Sequence, residues 1–328
     1  MNPITFVSAQ PDVPYFHWQI KLYVHNFIEN NVDPKNITVL LGMNEDQPSD
    51  EGVDLLKLGI NVVFIKDERE VKNYIPSIKP YLISKWLEKF PNMGKIFFLH
   101  DSDIIWNHIP NFSDLMEDDN TYLSDTKSYI GYNYLKDCSK KYEKSFDNCL
   151  TEQIIDEMCN VVGISKNVII ENQENSGGGQ YIIKNTDQEF WKKVYNDSNG
   201  LYNSLIRFQR KFPIKNGKIQ FWTAEMWSLL WNLWLSNKKT KISNLLDFSW
   251  ATDNVEIYEK KPILHMAGVT EGMKNSKFFK GEFIDKDPIE LLEKNINQFD
   301  YVDSNSSTIK YIDNMKSYVQ KRQKRLFI

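Results

Sequence analysis

The first hundred residues predict an α/β protein with a mostly parallel, doubly wound central sheet flanked by helices. Two observations predict it: β-rich runs alternate with segments of helical apolar spacing, and no linker or internal repeat breaks the chain. Residues 4–8 read as a strand, 15–29 as a helix, 37–41 as a second strand and 53–58 as a short helix. Residues 61–65 read as a third strand, 78–90 as a helix and 96–99 as a fourth strand. Beyond Asp103 the alternation breaks down. There 119–134 look like short strands, 151–162 a helix, 179–184 a strand, 187–211 helical and 220–236 a Trp-rich helix. The segments 255–258 and 263–266 look strand-like, a Lys-rich loop containing glycines follows to 284, and a helix begins at about 288.

Composition sets the outer limits. The chain has 328 residues with 41% hydrophobic content, enough for one large core. A net charge of −4 gives no global attraction to nucleic acid or anionic membrane, although 316–325 carry five positive residues and no acidic one. Cys138, Cys149 and Cys159 have neither zinc-ligand nor Cys-x-x-Cys spacing and read as reduced, packed thiols. With no basic leader and no long apolar run, the expectation is a soluble, cytoplasmic protein. The abundance of Asn and Lys fits an AT-rich genome, viral or other.

Ligands of doubly wound sheets bind beyond the carboxyl ends of the strands. Two such ends carry polar residues, Ser8 to Asp12 and Asp101-Ser102-Asp103. A chain turning out of a buried strand can aim both carboxylates at one divalent cation, manganese or magnesium, which keeps open positions for diphosphate oxygens. A solvated turn explains the same triplet more simply. Glu174-Asn175-Ser176-Gly177-Gly178-Gly179 precedes a strand; glycines let backbone approach a ligand, and Asn175 and Ser176 offer hydrogen bonds to sugar hydroxyls. Thr223 is placed to cap a helix with Glu225 in its first turn, where the macrodipole favours a carboxylate. Functionally, Glu225 would accept a proton from an acceptor hydroxyl or orient it. Trp227, Trp231 and Trp234 share one helical face and read as core, which leaves Trp222 as the stacking candidate. His265 ends an apolar strand and would complete a metal shell if the chain returns to the carboxylate edge. Lys274, Lys277 and Lys280 lie in the loop behind it.

The order Asp-x-Asp, Asn-Ser-Gly before a strand, an acidic helix start, then His-x-x-Gly with lysines behind resembles the GT-A fold glycosyltransferases of the glycogenin and lipopolysaccharide-galactosyltransferase kind. Lys79-Pro80, Trp86-Leu87 and Trp-x-x-Glu-Met at 222–226 also resemble the hydroxyproline arabinosyltransferases and peptidyl-serine galactosyltransferases. The resemblance runs from about residue 4 to 284. The chain departs from the glycogenin kind at Ala224-Glu225, where that kind has Asp-Gln, and lacks its Lys-Pro-Trp after His-x-x-Gly.

The resemblance implies a single GT-A, Rossmann-like domain over 1–285, with a nucleotide-binding half at 1–106 and a sugar and acceptor half at 107–285. Residues 286–328 would form a helical extension with a basic end. It implies retaining transfer from a nucleotide sugar, with uracil as the base, to a hydroxyl on a glycan, protein, lipid or modified DNA base. Asp101, Asp103 and His265 would hold the metal, and Lys79 and Lys280 would face the phosphates. Asn175, Ser176 and Gly177 would line the sugar pocket, with Trp222 beside it and Glu225 near the acceptor. Ser8, Gln10 and Tyr15 would hold the base. Two alternatives stay open: a sugar nucleotidyltransferase, and a DNA-associated enzyme that glycosylates a hydroxymethylated base through the basic end.

Overall fold

The computed structural model describes residues 4–146 and 150–326. The chain is an α/β protein of helix-flanked sheets. Among the described residues ten strands form: β1 Phe6–Pro11, β2 Ile37–Met43, β3 Asn61–Lys66, β4 Ile96–Leu99, β5 Ile104–Trp106, β6 Thr121–Asp125, β7 Gly177–Lys184, β8 Thr240–Ile242, β9 Phe248–Trp250 and β10 Ile263–His265. Two compact units divide them, one of residues 4–66, 100–112 and 247–326, the other of 67–99 and 113–246.

In the first unit β1 pairs in parallel with β2, and β2 with β3. The crossover between β1 and β2 is the helix Pro14–Glu29, whose first-turn proline costs no helix hydrogen bond and is already set at helical φ. It buries Trp18, Leu22, Tyr23 and Phe27, each side chain contributing about 1.5–3 kcal/mol. A second sheet has β10 at its centre, antiparallel to β5 and parallel to β9. Asn26 on the helix clamps β5 through both halves of its amide. Its Nδ2 donates to the Trp106 carbonyl at 3.0 Å, and its Oδ1 accepts from the Trp106 N–H at 2.6 Å.

The last helix, Thr308–Leu326, buries Tyr311, Ile312, Met315 and Val319 in the same apolar cluster as Trp18, Leu264 and Met266. Three of its basic residues have acidic partners: Lys316 meets Asp300 at 2.7 Å, Arg322 meets Glu293 at 2.9 Å, and Lys321 meets Glu29.

In the second unit β7 lies between β4 and β6, antiparallel to both, and β8 adds in parallel to β6. The helix Gln188–Lys211 starts where the Asp187 carboxylate accepts from the Phe190 N–H at 2.8 Å. It packs on the helices Ile78–Lys89 and Ala224–Leu235. Trp227, Trp231 and Trp234 are buried, as their shared face predicts.

Three expectations need correction. Within 119–134 only Thr121–Asp125 is a strand, and the chain then forms the helices Lys127–Ile130 and Tyr132–Phe146. The second of these buries Leu135, Cys138, Ser139 and Tyr142 at i, i+3, i+4 and i+7, a helical period legible in the sequence. Val255–Tyr258 is a single helical turn rather than a strand. Its first N–H donates to the Asn305 carbonyl at 2.8 Å and Tyr258 enters the core, so tertiary contacts override its β-forming composition. The strands β5, β8 and β9 were not expected; three residues are too few to show a period of two. Cys138 and Cys159 are buried thiols, while Cys149 lies outside the described residues. No described helix is long and apolar enough to cross a membrane.

Asp12, after β1, fixes the loop that follows β2. Its carboxylate accepts from the Ser49 N–H at 2.8 Å and the Ser49 hydroxyl at 2.6 Å, and lies 2.7 Å from His17 Nε2. Burial pushes its pKa up, but His17 and Ser49 outweigh that and hold it below the ordinary value. The carboxylate therefore contributes stability above the unfolded-state pKa, and the contribution is lost as pH falls through the lowered folded value. Asp12→Ala is expected to cost about 2 kcal/mol at neutral pH by urea denaturation. The gap between wild type and variant should narrow as pH drops below about 4.

Candidate metal and carboxylate sites

The first unit gathers its titratable groups where β5 begins and β10 ends. Antiparallel pairing sets Ile104 opposite His265, so Asp103, one residue before β5, comes beside the imidazole. The Met266 N–H closes this corner on the Asp103 carbonyl at 2.9 Å. The preceding turn is fixed at each step. The His100 N–H donates to the Val7 carbonyl at 3.1 Å, His100 Nδ1 bonds the Asp101 carbonyl at 2.8 Å, and the Ser102 hydroxyl donates to Gln19 Oε1 at 3.1 Å.

His265 Nε2 lies 3.3 Å from Asp103 Oδ1 and 3.7 Å from Asp101 Oδ2. One ligand atom from each of Asp101, Asp103 and His265 falls within 4.8 Å of the others. The imidazole is held flat against Trp250, with centroids 5.6 Å apart and planes at 19°, while Phe248 meets it edge-on. Asp103 is 8% exposed, and its second oxygen, Oδ2, is taken by the Lys280 ammonium. Burial opposes the charge on Asp103, but Lys280 and then His265 hold its carboxyl far below the ordinary carboxylate range. The same contact raises Lys280, although burial works against it.

The donor set fits a divalent cation. Two carboxylates and an imidazole offer oxygen and nitrogen ligands together, a set that first-row divalent ions accept. Asp103 would bind through Oδ1 alone, since Lys280 holds Oδ2. Two carboxylates facing one ammonium also leave a negative surplus for a cation to meet. Beside this group lies a cavity of ≈ 260 Å³ lined by Tyr15, Met266, Gly268, Phe278, Lys280 and Gly281 among others. Of the other residues expected to hold the base, Ser8 is fully buried with its hydroxyl 2.8 Å from the Tyr23 hydroxyl. Gln10 is 3% exposed, and its Nε2 has no hydrogen-bond partner among the described residues.

The second unit holds the remaining candidates. Glu225 is 3% exposed in the first turn of the helix Ala224–Leu235, with its Oε2 3.5 Å from the Lys79 ammonium. Thr223 does not cap this helix through its side chain. Its hydroxyl donates instead to the Gln220 carbonyl at 2.7 Å. The open N–H of Glu225 is met by the Tyr74 hydroxyl at 2.8 Å, and that hydroxyl donates to the Trp222 carbonyl at 2.7 Å. Tyr74 was missed in the sequence, where Asn-Tyr-Ile-Pro carries no motif. Trp222 is 56% exposed.

The glycine run answers a packing demand. A Cβ on Gly177 would lie 2.4 Å from the Ser124 carbonyl, and Gly179 sits at φ +87°. The Asn175 carbonyl accepts from the Thr240 hydroxyl at 3.0 Å, and the Ser176 hydroxyl reaches the Asn172 carbonyl at 3.4 Å. The structure thus brings Asp101, Asp103, His265 and Lys280 together in one unit, and Lys79 with Glu225 in the other.

No family model matches the chain, and no curated protein does. Among solved structures, the chain is similar to the bifunctional glycosyltransferase WbbM, at 12% identity and a TM-score of 0.45 over 92% of this chain. It spans about half of that protein, 52% of its length. It is similar also to a glycosyltransferase involved in glycosylating the major capsid of PBCV-1, at 13% identity, TM-score 0.39, 83% of this chain and 96% of that one. A third is the galactosyltransferase LgtC in complex with donor and acceptor sugar analogs, at 12% identity, TM-score 0.39, 81% of this chain and 87% of that one.

Manganese titrated into the protein is expected to bind one strong site, read by calorimetry or by water-proton relaxation. Asp103→Ala and His265→Ala should each weaken binding by roughly tenfold or more. Binding unaffected by both substitutions would place the ion elsewhere.

Proposed function

We propose that this chain is a metal-dependent glycosyltransferase that moves a sugar from a UDP-sugar to a hydroxyl acceptor with retention of configuration. The observation that carries this reading is the Asp101, Asp103 and His265 group, three ligand atoms within 4.8 Å held by the β5–β10 pairing, with Lys280 on the same carboxylate. The divalent ion, when bound, supplies Lewis-acid stabilisation of the charge that develops on the departing nucleoside diphosphate. Asp101, Asp103 and His265 hold it. Lys280 adds a fixed positive charge at the same carboxylates, where a leaving diphosphate is favoured by every nearby cation.

The nucleotide side of the reading rests on Gln10 and Tyr15, while Ser8 is buried against the Tyr23 hydroxyl. A buried amide whose N–H groups lack a partner costs about 1–3 kcal/mol, and a base carbonyl that accepts from it would recover that. In the second half of the chain, Asn175, Ser176 and Gly177 are assigned to the sugar and Glu225 to the acceptor hydroxyl, with Lys79 balancing the Glu225 charge. Retention asks Glu225 to orient or stabilise, whereas inversion asks it to remove the proton outright.

A panel of nucleotide sugars should reveal manganese-dependent hydrolysis, fastest with one UDP-sugar, and Asp103→Ala should lower it roughly 100-fold or more. Hydrolysis that survives this substitution, or that needs no metal, removes the assignment. Gln10→Ala is expected to raise KM for the donor by about fivefold with little change in kcat. The product anomer read by NMR should match that of the donor, and an inverted product would make Glu225 a true base.

A further inference from the structure

Trp222 is the exposed exception among the tryptophans of the second unit. Its side chain is 56% exposed, while Trp86, Trp191, Trp227, Trp231 and Trp234 are buried. A lone exposed apolar residue needs no explanation, but a rigid one is different. The segment that carries Trp222 is tied down residue by residue. The Gln209 amide donates to the Ile219 carbonyl at 2.6 Å, the Gln220 N–H donates to the Tyr134 hydroxyl at 3.0 Å, and the Thr223 hydroxyl donates to the Gln220 carbonyl. The Trp222 carbonyl itself accepts from Tyr74.

The rings form a continuous buttress. Tyr74 stacks on Tyr202 with centroids 4.4 Å apart and planes at 18°. Tyr202 meets Phe221 edge-on at 5.7 Å, and Phe221 meets Trp222 at 5.8 Å. Tyr74 is held from its other end too: Arg69 Nη1 donates to its carbonyl at 3.3 Å, while Asp67 binds the same guanidinium through both oxygens. The result is an indole face open to solvent on backbone that has little freedom left to lose on binding.

We propose that Trp222 is the stacking platform for a carbohydrate acceptor and that Tyr74 is its positioning residue, an inference that rests on the glycosyl-transfer reading above. The face of a pyranose presents C–H groups that pack on an indole, while its hydroxyls stay in water or find polar partners. Tyr74 couples the platform to Glu225, because one hydroxyl binds the Trp222 carbonyl and the Glu225 N–H together. Glu225, three residues along, is a hydrogen-bond acceptor that sugar hydroxyls can meet with a donated proton and that phosphodiester oxygens, which carry none, cannot, so a sugar fits this surface better than a phosphodiester backbone.

The test titrates lactose, maltose and cellobiose, with a short single-stranded DNA oligonucleotide alongside, into the full chain while tryptophan fluorescence is followed. At least one saccharide is expected to give a saturable change that Trp222→Ala abolishes. Tyr74→Phe, which keeps the ring and removes the hydroxyl, should weaken that saccharide roughly fivefold or more. A merely structural role for Tyr74 would lower the melting temperature and leave saccharide affinity unchanged, and that result overturns the positioning role. No response to any saccharide, a response that survives Trp222→Ala, or a Trp222-dependent response to the oligonucleotide alone overturns the platform. Manganese-dependent donor hydrolysis by the wild type is measured in parallel. Hydrolysis without saccharide binding removes only the platform, and saccharide binding without hydrolysis removes only the glycosyl-transfer reading.

Discussion

A carboxylate buried as deeply as Asp103 has to be met by positive charge, and the first unit is arranged around meeting it. Removing an ion from water costs several kcal/mol unless opposite charge and hydrogen bonds replace the lost solvation. Lys280 takes one oxygen of Asp103 and His265 approaches the other. Each partner depends on structure far away in sequence. His265 is in place because β10 runs antiparallel to β5, and β5 is in place because Asn26 clamps Trp106 from the helix Pro14–Glu29. That helix is also tied to the segment carrying Lys280, since the Trp18 indole donates to the Phe283 carbonyl at 3.2 Å.

The second unit meets the same demand with different parts. Glu225 is buried at the N-terminus of a helix, where the macrodipole favours its charge, and Lys79 stands 3.5 Å away. Asp67 and Arg69 repeat the solution nearby as a buried bidentate pair, with the spare guanidinium nitrogen spent on the Ser77 hydroxyl at 2.8 Å and the Tyr74 carbonyl. Such pairs add little net stability over apolar packing, but removing one partner strands a buried charge, so they fix geometry more than they raise ΔG. What they fix here is Tyr74, and through it both Trp222 and Glu225.

Much of this was legible in the sequence wherever the physics is local. The strands at 37–41, 61–65 and 96–99 and the helices at 15–29 and 187–211 fall within a few residues of the observed elements, because long apolar periods declare themselves. Asp101, Asp103 and His265 were legible as types, but their meeting depends on a three-residue strand too short to predict. The Lys79–Glu225 pair joins residues 146 positions apart and leaves no local trace. Tyr74 escaped for a related reason: a tyrosine before Ile-Pro reads as loop, and its hydroxyl acquires a task only once the helix Ala224–Leu235 arrives with an N–H that Thr223 leaves unserved.

The glycine run shows how a motif can be read correctly in place and still be ambiguous in cause. Gly177, Gly178 and Gly179 begin β7, two residues ahead of the strand expected at 179–184. Yet a Cβ at Gly177 meets the Ser124 backbone at 2.4 Å, and one at Gly178 meets Met226 and the Tyr181 hydroxyl at 2.6 Å each. The pairing of β6 with β7 shifts register between Leu123 and Asp125, where Asp125 faces Gly177. Close strand approach therefore demands glycine there whether or not a sugar ever binds. Activity lost on replacing Gly177 would report on β6 and β7 before it reported on a ligand. Asn175 is the informative position, because the bonds that hold the turn there use its backbone N–H and carbonyl and leave its side chain free of that task, whereas the Ser176 hydroxyl is itself engaged with the Asn172 carbonyl.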